Sequence, residues 1–164
     1  MNYNNETVKS KYITNLNKAI EGLKQLDVYC NRDIKIKGLN RWVLEQTIQS
    51  CIKEELTQQK IPYNFEEQFQ LQSRIKVDLK IDDKILIEIK VSGIYSRNTE
   101  ETYMKYKKIA EEKNFEYVYI TLKEGYEHYH ELMRNVFGNE NAFFLDTDKN
   151  EWERFINRII NTLT

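Results

Sequence analysis

Residues 75–91 read IKVDLKIDDKILIEIKV, and the fold turns on this stretch. Ile75, Val77, Leu79 and Ile81 alternate with Lys76, Asp78 and Lys80, the period of a half-buried strand with one face in a core and one toward water. After Asp82-Asp83-Lys84 the alternation resumes in Ile85, Ile87, Ile89 and Val91, a run rich in β-branched residues that ends at Ser92-Gly93. Two such runs around a short polar segment predict a β-hairpin. Its register follows from the turn. A two-residue loop at Asp83-Lys84 would set Asp78 against Ile89, whereas a three-residue loop from Asp82 to Lys84 pairs Ile81 with Ile85 and Asp78 with Glu88. Only the second brings the apolar rows together. Asp78 and Glu88 are then expected on one face with Cβ atoms about 5 Å apart, and Lys90, two residues past Glu88, shares that face.

Two facing carboxylates repel, and a divalent cation resolves the repulsion. Mg²⁺ takes hard oxygen ligands, keeps several waters and is commonly held by one or two carboxylates plus a phosphate, which is the chemistry Asp78 and Glu88 offer. A lysine beside the ion orients the attacking water or neutralises charge on a phosphate. On this reading Asp78→Ala and Glu88→Ala lose activity but melt normally, because each relieves repulsion.

Outward from the hairpin, Val8, Tyr12, Leu16, Ile20 and Leu23 form one stripe of a helix over about 8–29. Leu44, Ile48, Cys51, Ile52 and Leu56 form another over 39–59, with Asn40 as the expected N-cap. From Phe69 the period turns to that of strands. After the hairpin the pattern predicts a charged helix at 100–113, a strand at 117–122, a short helix at 127–137, a strand at 142–145 and a helix at 151–163. The order is ααβββαβαβα. It implies an α/β fold, a mixed β-sheet flanked by helices, divided into an N-terminal helical region (1–38) and a core with a C-terminal helix (39–164).

At 164 residues and 40% hydrophobic composition the chain can bury a core, and no apolar run is long enough for a membrane span. Charges throughout the first thirty residues exclude a secretory signal, so a cytoplasmic location is expected. Cys30 and Cys51 form no CxxC pair and read as two reduced thiols. Net charge is −1, but residues 1–40 carry seven Lys/Arg against four Asp/Glu, a local +3. A polyanion would have to be met by such a local surface.

Asp78, nine intervening residues, and then Glu88-Ile89-Lys90 resembles the PD-(D/E)xK signature of the restriction-endonuclease-like nucleases. The likeness extends over the order of elements from residue 40 to about residue 122. Val77 stands where that family has its proline, and Thr102 and Tyr106 stand where many members have a glutamine and a tyrosine. The resemblance implies a restriction-endonuclease-like sheet and a Mg²⁺-dependent endonuclease, with Mn²⁺ as a substitute ion. Asp78, Glu88 and Glu45, the last on the helix before the sheet, would be the metal ligands, and Lys90 would assist the water. DNA would be the substrate. A type II restriction endonuclease or its catalytic subunit is favoured, working as a homodimer or with a heteromeric nuclease partner. A structure-selective resolvase or repair nuclease, or a non-catalytic DNA-binding or assembly module, is the alternative.

Other residues carry weaker readings. Glu66 and Glu67 compete with Glu45 as third carboxylate. Lys76 and Lys80 read as solvated charges or phosphate contacts, and Gln72, Ser73 and Arg74 as a polar turn with some reach for phosphate. The loop 92–98 has a composition suited to contacting DNA. His128 and His130, two apart on a helix, point away from each other and read as surface histidines.

Overall fold

The computed structural model describes residues 3–30, 38–91, 97–122 and 127–164, and the side chains of all of these except 27–30, 97 and 127–129. Cys30, His128 and nearly all of the loop expected to approach DNA, together with Arg32, Lys35 and Lys37 of the basic segment, therefore lie outside the described side chains.

The elements follow the expected order: α1 (Asn5–Cys30), α2 (Leu39–Gln58), β1 (Phe65–Gln72), β2 (Ile75–Ile81), β3 (Ile85–Lys90), α3 (Arg97–Glu112), β4 (Glu116–Thr121), α4 (Glu127–Phe137), β5 (Ala142–Phe144) and α5 (Glu151–Leu163). Among the described residues the strands form one mixed sheet in the order β1-β2-β3-β4-β5. The first three run antiparallel as a meander, and β4 and β5 join in parallel through helical crossovers. No described helix is long and apolar enough to cross a membrane.

Helices cover both faces. Leu79, Ile81, Ile85, Ile87, Ile89, Val118 and Ile120 pack with the stripes of α1, α2 and α5, so Val8, Tyr12, Leu44, Ile48, Trp152 and Phe155 share one core. Leu86, Tyr117 and Tyr119 pack on the other face with Tyr103, Met133 and Phe137 of α3 and α4. The strand expected to be half-buried, β2, is corrected at its centre, where Asp78 of the polar row is buried together with Val77 and Leu79, and every residue of β3 but Lys90 is buried. Leu86, apolar at a position where the alternation calls for a polar residue, is the local sign of the second core.

α5 is capped by a side chain, with Asn150 accepting from the Glu153 N–H at 3.3 Å. α2 does not. Its N-cap is Gly38 in a left-handed conformation (φ 80°), and Asn40 lies one residue inside the helix without capping it. Glycine takes that φ without a Cβ clash, so the chain turns into α2 through backbone freedom and not through a side-chain acceptor.

The hairpin register is the one the hydrophobic pattern selects: Ile81 faces Ile85, Lys80 faces Leu86 and Leu79 faces Ile87. Asp82 takes a left-handed φ of 48° in the three-residue loop, a conformation that aspartate tolerates better than most residues. Ile75 and Val77, however, belong to the second core while Leu79 and Ile81 belong to the first. The same change occurs in β1, where Phe65 packs toward the first core and Phe69 and Leu71 toward the second. Between them Gln68 has φ 51° and falls opposite Asp78 in a register that pairs Glu67 with Leu79 and Phe69 with Val77. The edge hairpin changes face at the level of Gln68 and Asp78, where β1 carries this left-handed residue.

Candidate functional site

That change of face sets the surroundings of Asp78. The β2–β3 ladder ends at Leu79 and Ile87, one pair short of Asp78 and Glu88. There the Asp78 carboxylate accepts the Ile89 N–H at 2.8 Å through Oδ2, a side chain taking a backbone donor. Its other oxygen, Oδ1, accepts from Nη2 of Arg41 in the first turn of α2 at 2.5 Å. One turn along that helix, Glu45 accepts the Arg41 Nε–H at 2.6 Å and is approached by the Gln68 amide at 3.4 Å. Arg41 thus bridges two carboxylates from different elements.

Lys90 makes a second bridge. Its ammonium lies 3.5 Å from Asp78 Oδ2 and also donates to Glu88 Oε1. Glu88 turns toward the second core, where the Tyr103 hydroxyl of α3 donates to Oε1 at 2.9 Å and the Tyr117 hydroxyl of β4 donates to Oε2 at 3.0 Å. The chain Glu45, Arg41, Asp78, Lys90, Glu88 is therefore continuous, with a cation in each gap between neighbouring acids. The three carboxylates are 7%, 2% and 5% exposed in the order Glu45, Asp78, Glu88.

Burial fixes the electrostatics. Desolvation raises the Glu45 pKa above the ordinary carboxylate value, the Asp78 charge adds to the rise, and Arg41 opposes it. Glu88 is raised first by burial, against the favourable charge of Lys90. Burial and the Glu88 charge push both tyrosine hydroxyls far up, so they remain donors across the physiological range. For Arg41, burial works downward but the two acids prevail and hold the guanidinium charged. Counted formally, the cluster has three acids and two bases.

All four residues named from the sequence thus meet in one cluster. Glu66 pairs with Lys80 at 2.8 Å, and Glu67 accepts from Gln46 at 3.1 Å in an exposed position. Lys80 also reaches Asp83 and lies over the Phe69 ring, so it is no free solvated charge. Gln72, Ser73 and Arg74 are exposed, with Arg74 at φ 65° in the β1–β2 turn. His130 is not a surface histidine: it stacks on Phe144 with ring centroids 4.1 Å apart and lies 3.2 Å from Asp146. Cys51 is a free thiol, fully buried, whose pKa burial pushes up to about 12. Four participants were not anticipated: Arg41, Gln68, Tyr103 and Tyr117. Arg41 alone left a local sign, standing four residues before Glu45 on one helix face.

Family models, curated proteins and solved structures give no match to this chain. Function must be argued from the cluster. Carboxylate oxygens are the donors a hard divalent cation takes, and Asp78 flanks both gaps. Among the described residues, however, no three acidic, histidine or cysteine side chains are gathered as ligands. Arg41 and Lys90 stand between them. Of the two gaps the Glu45–Asp78 one is held by the more exposed cation, Arg41 at 52% against Lys90 at 18%.

Proposed function

We propose that the chain is a Mg²⁺-dependent endonuclease of the restriction-endonuclease-like class, hydrolysing DNA phosphodiester bonds as a type II restriction endonuclease or its catalytic subunit. The observation that carries the reading is the convergence of Glu45, Asp78, Glu88 and Lys90 from α2, β2 and β3 at the point where the edge hairpin changes face. In this proposal Asp78 and Glu45, with Glu88, supply the carboxylates for Mg²⁺, or for Mn²⁺ in its place. When bound, such an ion polarises a phosphoryl oxygen and lowers the pKa of a coordinated water. Asp78 is held for this role by the Ile89 N–H, which fixes one oxygen and leaves the other for a cation. Glu88, gripped by two tyrosine hydroxyls, holds the Lys90 ammonium at the site, where it offsets negative charge on the phosphate and orients the attacking water. One site cuts one strand, so a double-strand break calls for a homodimer or a heteromeric partner.

A second reading has its own support. Because each gap between acids already holds a cationic side chain, the cluster satisfies itself, as in a DNA-binding or assembly module without turnover. Incubation of the purified chain with supercoiled plasmid and with four-way junctions in Mg²⁺ tests both readings, with EDTA and Asp78→Asn as controls. Cleavage that EDTA and the substitution abolish supports the nuclease, and preference for junctions would redirect it to a resolvase. Retention of DNA with no cleavage under any of these conditions, nor in Mn²⁺, would sink the nuclease reading in favour of the second. Light scattering on the same sample reports the oligomeric state.

A further inference from the structure

Of the two cations in the cluster, Arg41 is the one placed to leave it. Two of its five N–H donors are used, Nε on Glu45 and one on Nη2 to Asp78, and the side chain is half exposed. Its two partners are nearly sealed from water. A guanidinium that spans two buried carboxylates of different elements stands where a single cation would neutralise both. The residue follows shortly on Gly38, in the first turn of α2. Lys90 differs: it is mostly covered, engages both Asp78 and Glu88, and lies 6.0 Å from the Tyr103 ring centroid.

We propose that Arg41 is a tethered counter-cation that closes the Glu45–Asp78 gap in the metal-free protein and competes with a divalent ion for it. This rests on the nuclease reading, since it assigns that gap as the ion's place. Loading the site requires the guanidinium to swing out to solvent. The ion must repay the two charge-assisted hydrogen bonds lost, so affinity in the resting protein is held low. The same competition keeps the fold intact without metal, because two buried acids with no cation between them would repel. Arg41 is thus a positioning residue that sets how readily the site is loaded.

Mn²⁺ binding measured by calorimetry, together with melting in EDTA and in Mn²⁺, tests this on the intact chain and on Arg41→Gln, Arg41→Lys and Asp78→Asn. Arg41→Gln is expected to bind Mn²⁺ at least tenfold more tightly than wild type, to melt lower in EDTA, and to regain stability in Mn²⁺ by more than wild type gains. Arg41→Lys keeps the charge but loses the two-pronged grip, and should fall between them; it carries the test if Arg41→Gln does not fold. Asp78→Asn should abolish binding. Wild type that binds Mn²⁺ while both Arg41 variants bind equally or more weakly overturns the competition and spares the metal reading. Absence of binding in wild type and in every Arg41 variant overturns the metal reading itself.

Discussion

Asp78→Ala separates a ligand role from a structural one. Charge is not the main loss in this variant. Asp78 is the third acid beside two bases, and its removal leaves Glu45 with Arg41 and Glu88 with Lys90 as two balanced pairs. What has no substitute is the acceptor for the Ile89 N–H at 2.8 Å, in a strand position 1% exposed. An orphaned buried donor costs about 1–3 kcal/mol. The expected destabilisation is therefore about 2 kcal/mol, or roughly 4–8 °C in melting temperature for a chain of this length. Asp78→Asn retains an oxygen for Ile89 and should cost about 1 kcal/mol or less. The expectation of normal melting for Asp78→Ala is replaced by this ordering. Urea denaturation in EDTA, comparing midpoints at constant slope, is the assay. An alanine variant as stable as wild type, or an asparagine variant as damaging as alanine, would refute the claim that Asp78 stands in for a backbone acceptor.

Tyr117→Phe deletes a hydroxyl that donates to buried Glu88 Oε2, and should lower unfolding stability by about 1.5–3 kcal/mol; no change in the denaturation midpoint would show that Glu88 is held otherwise. For Glu88→Gln the sign comes from burial, which raises the folded-state pKa above the unfolded value. Between those two values the folded protein binds more protons, so this group's contribution to stability falls as pH rises through the window and stays lost above it. Relative to wild type, Glu88→Gln should therefore gain stability as pH rises from the ordinary glutamate value; a flat or opposite trend in paired pH melts would contradict the burial argument. Lys90→Ala is expected to end plasmid cleavage while calorimetric Mn²⁺ binding persists, and loss of both together would recast Lys90 as a structural counter-charge.

Residues near one another in the sequence carried much of this architecture. The alternation in 75–91 fixed the hairpin and chose its three-residue loop over a two-residue one, which would set isoleucines against charges. The spacing of Trp152, Phe155, Ile156 and Ile159 likewise fixed the buried face of α5. Glu45 was named as the acid on the helix before the sheet, and the structure buries it facing Arg41 and Gln68. What joins Glu88 to the second core was not legible. Tyr103 and Tyr117 lie 15 and 29 residues farther along the chain, and only the parallel placement of β4 beside β3, with α3 packed over it, brings their hydroxyls to one carboxylate. The swap of faces at Gln68 was hidden for another reason. The alternation in β2 looks unbroken through Asp78 yet passes from one core to the other, and the left-handed Gln68 opposite it on β1 has no compositional mark. Periodicity records which residues seek burial, but the partner each charge receives depends on which elements the sheet sets side by side. The sequence therefore determined the hairpin with Asp78 and Glu88, while tertiary structure alone put Arg41 between Asp78 and Glu45 of α2 and buried Glu88 beneath two tyrosines.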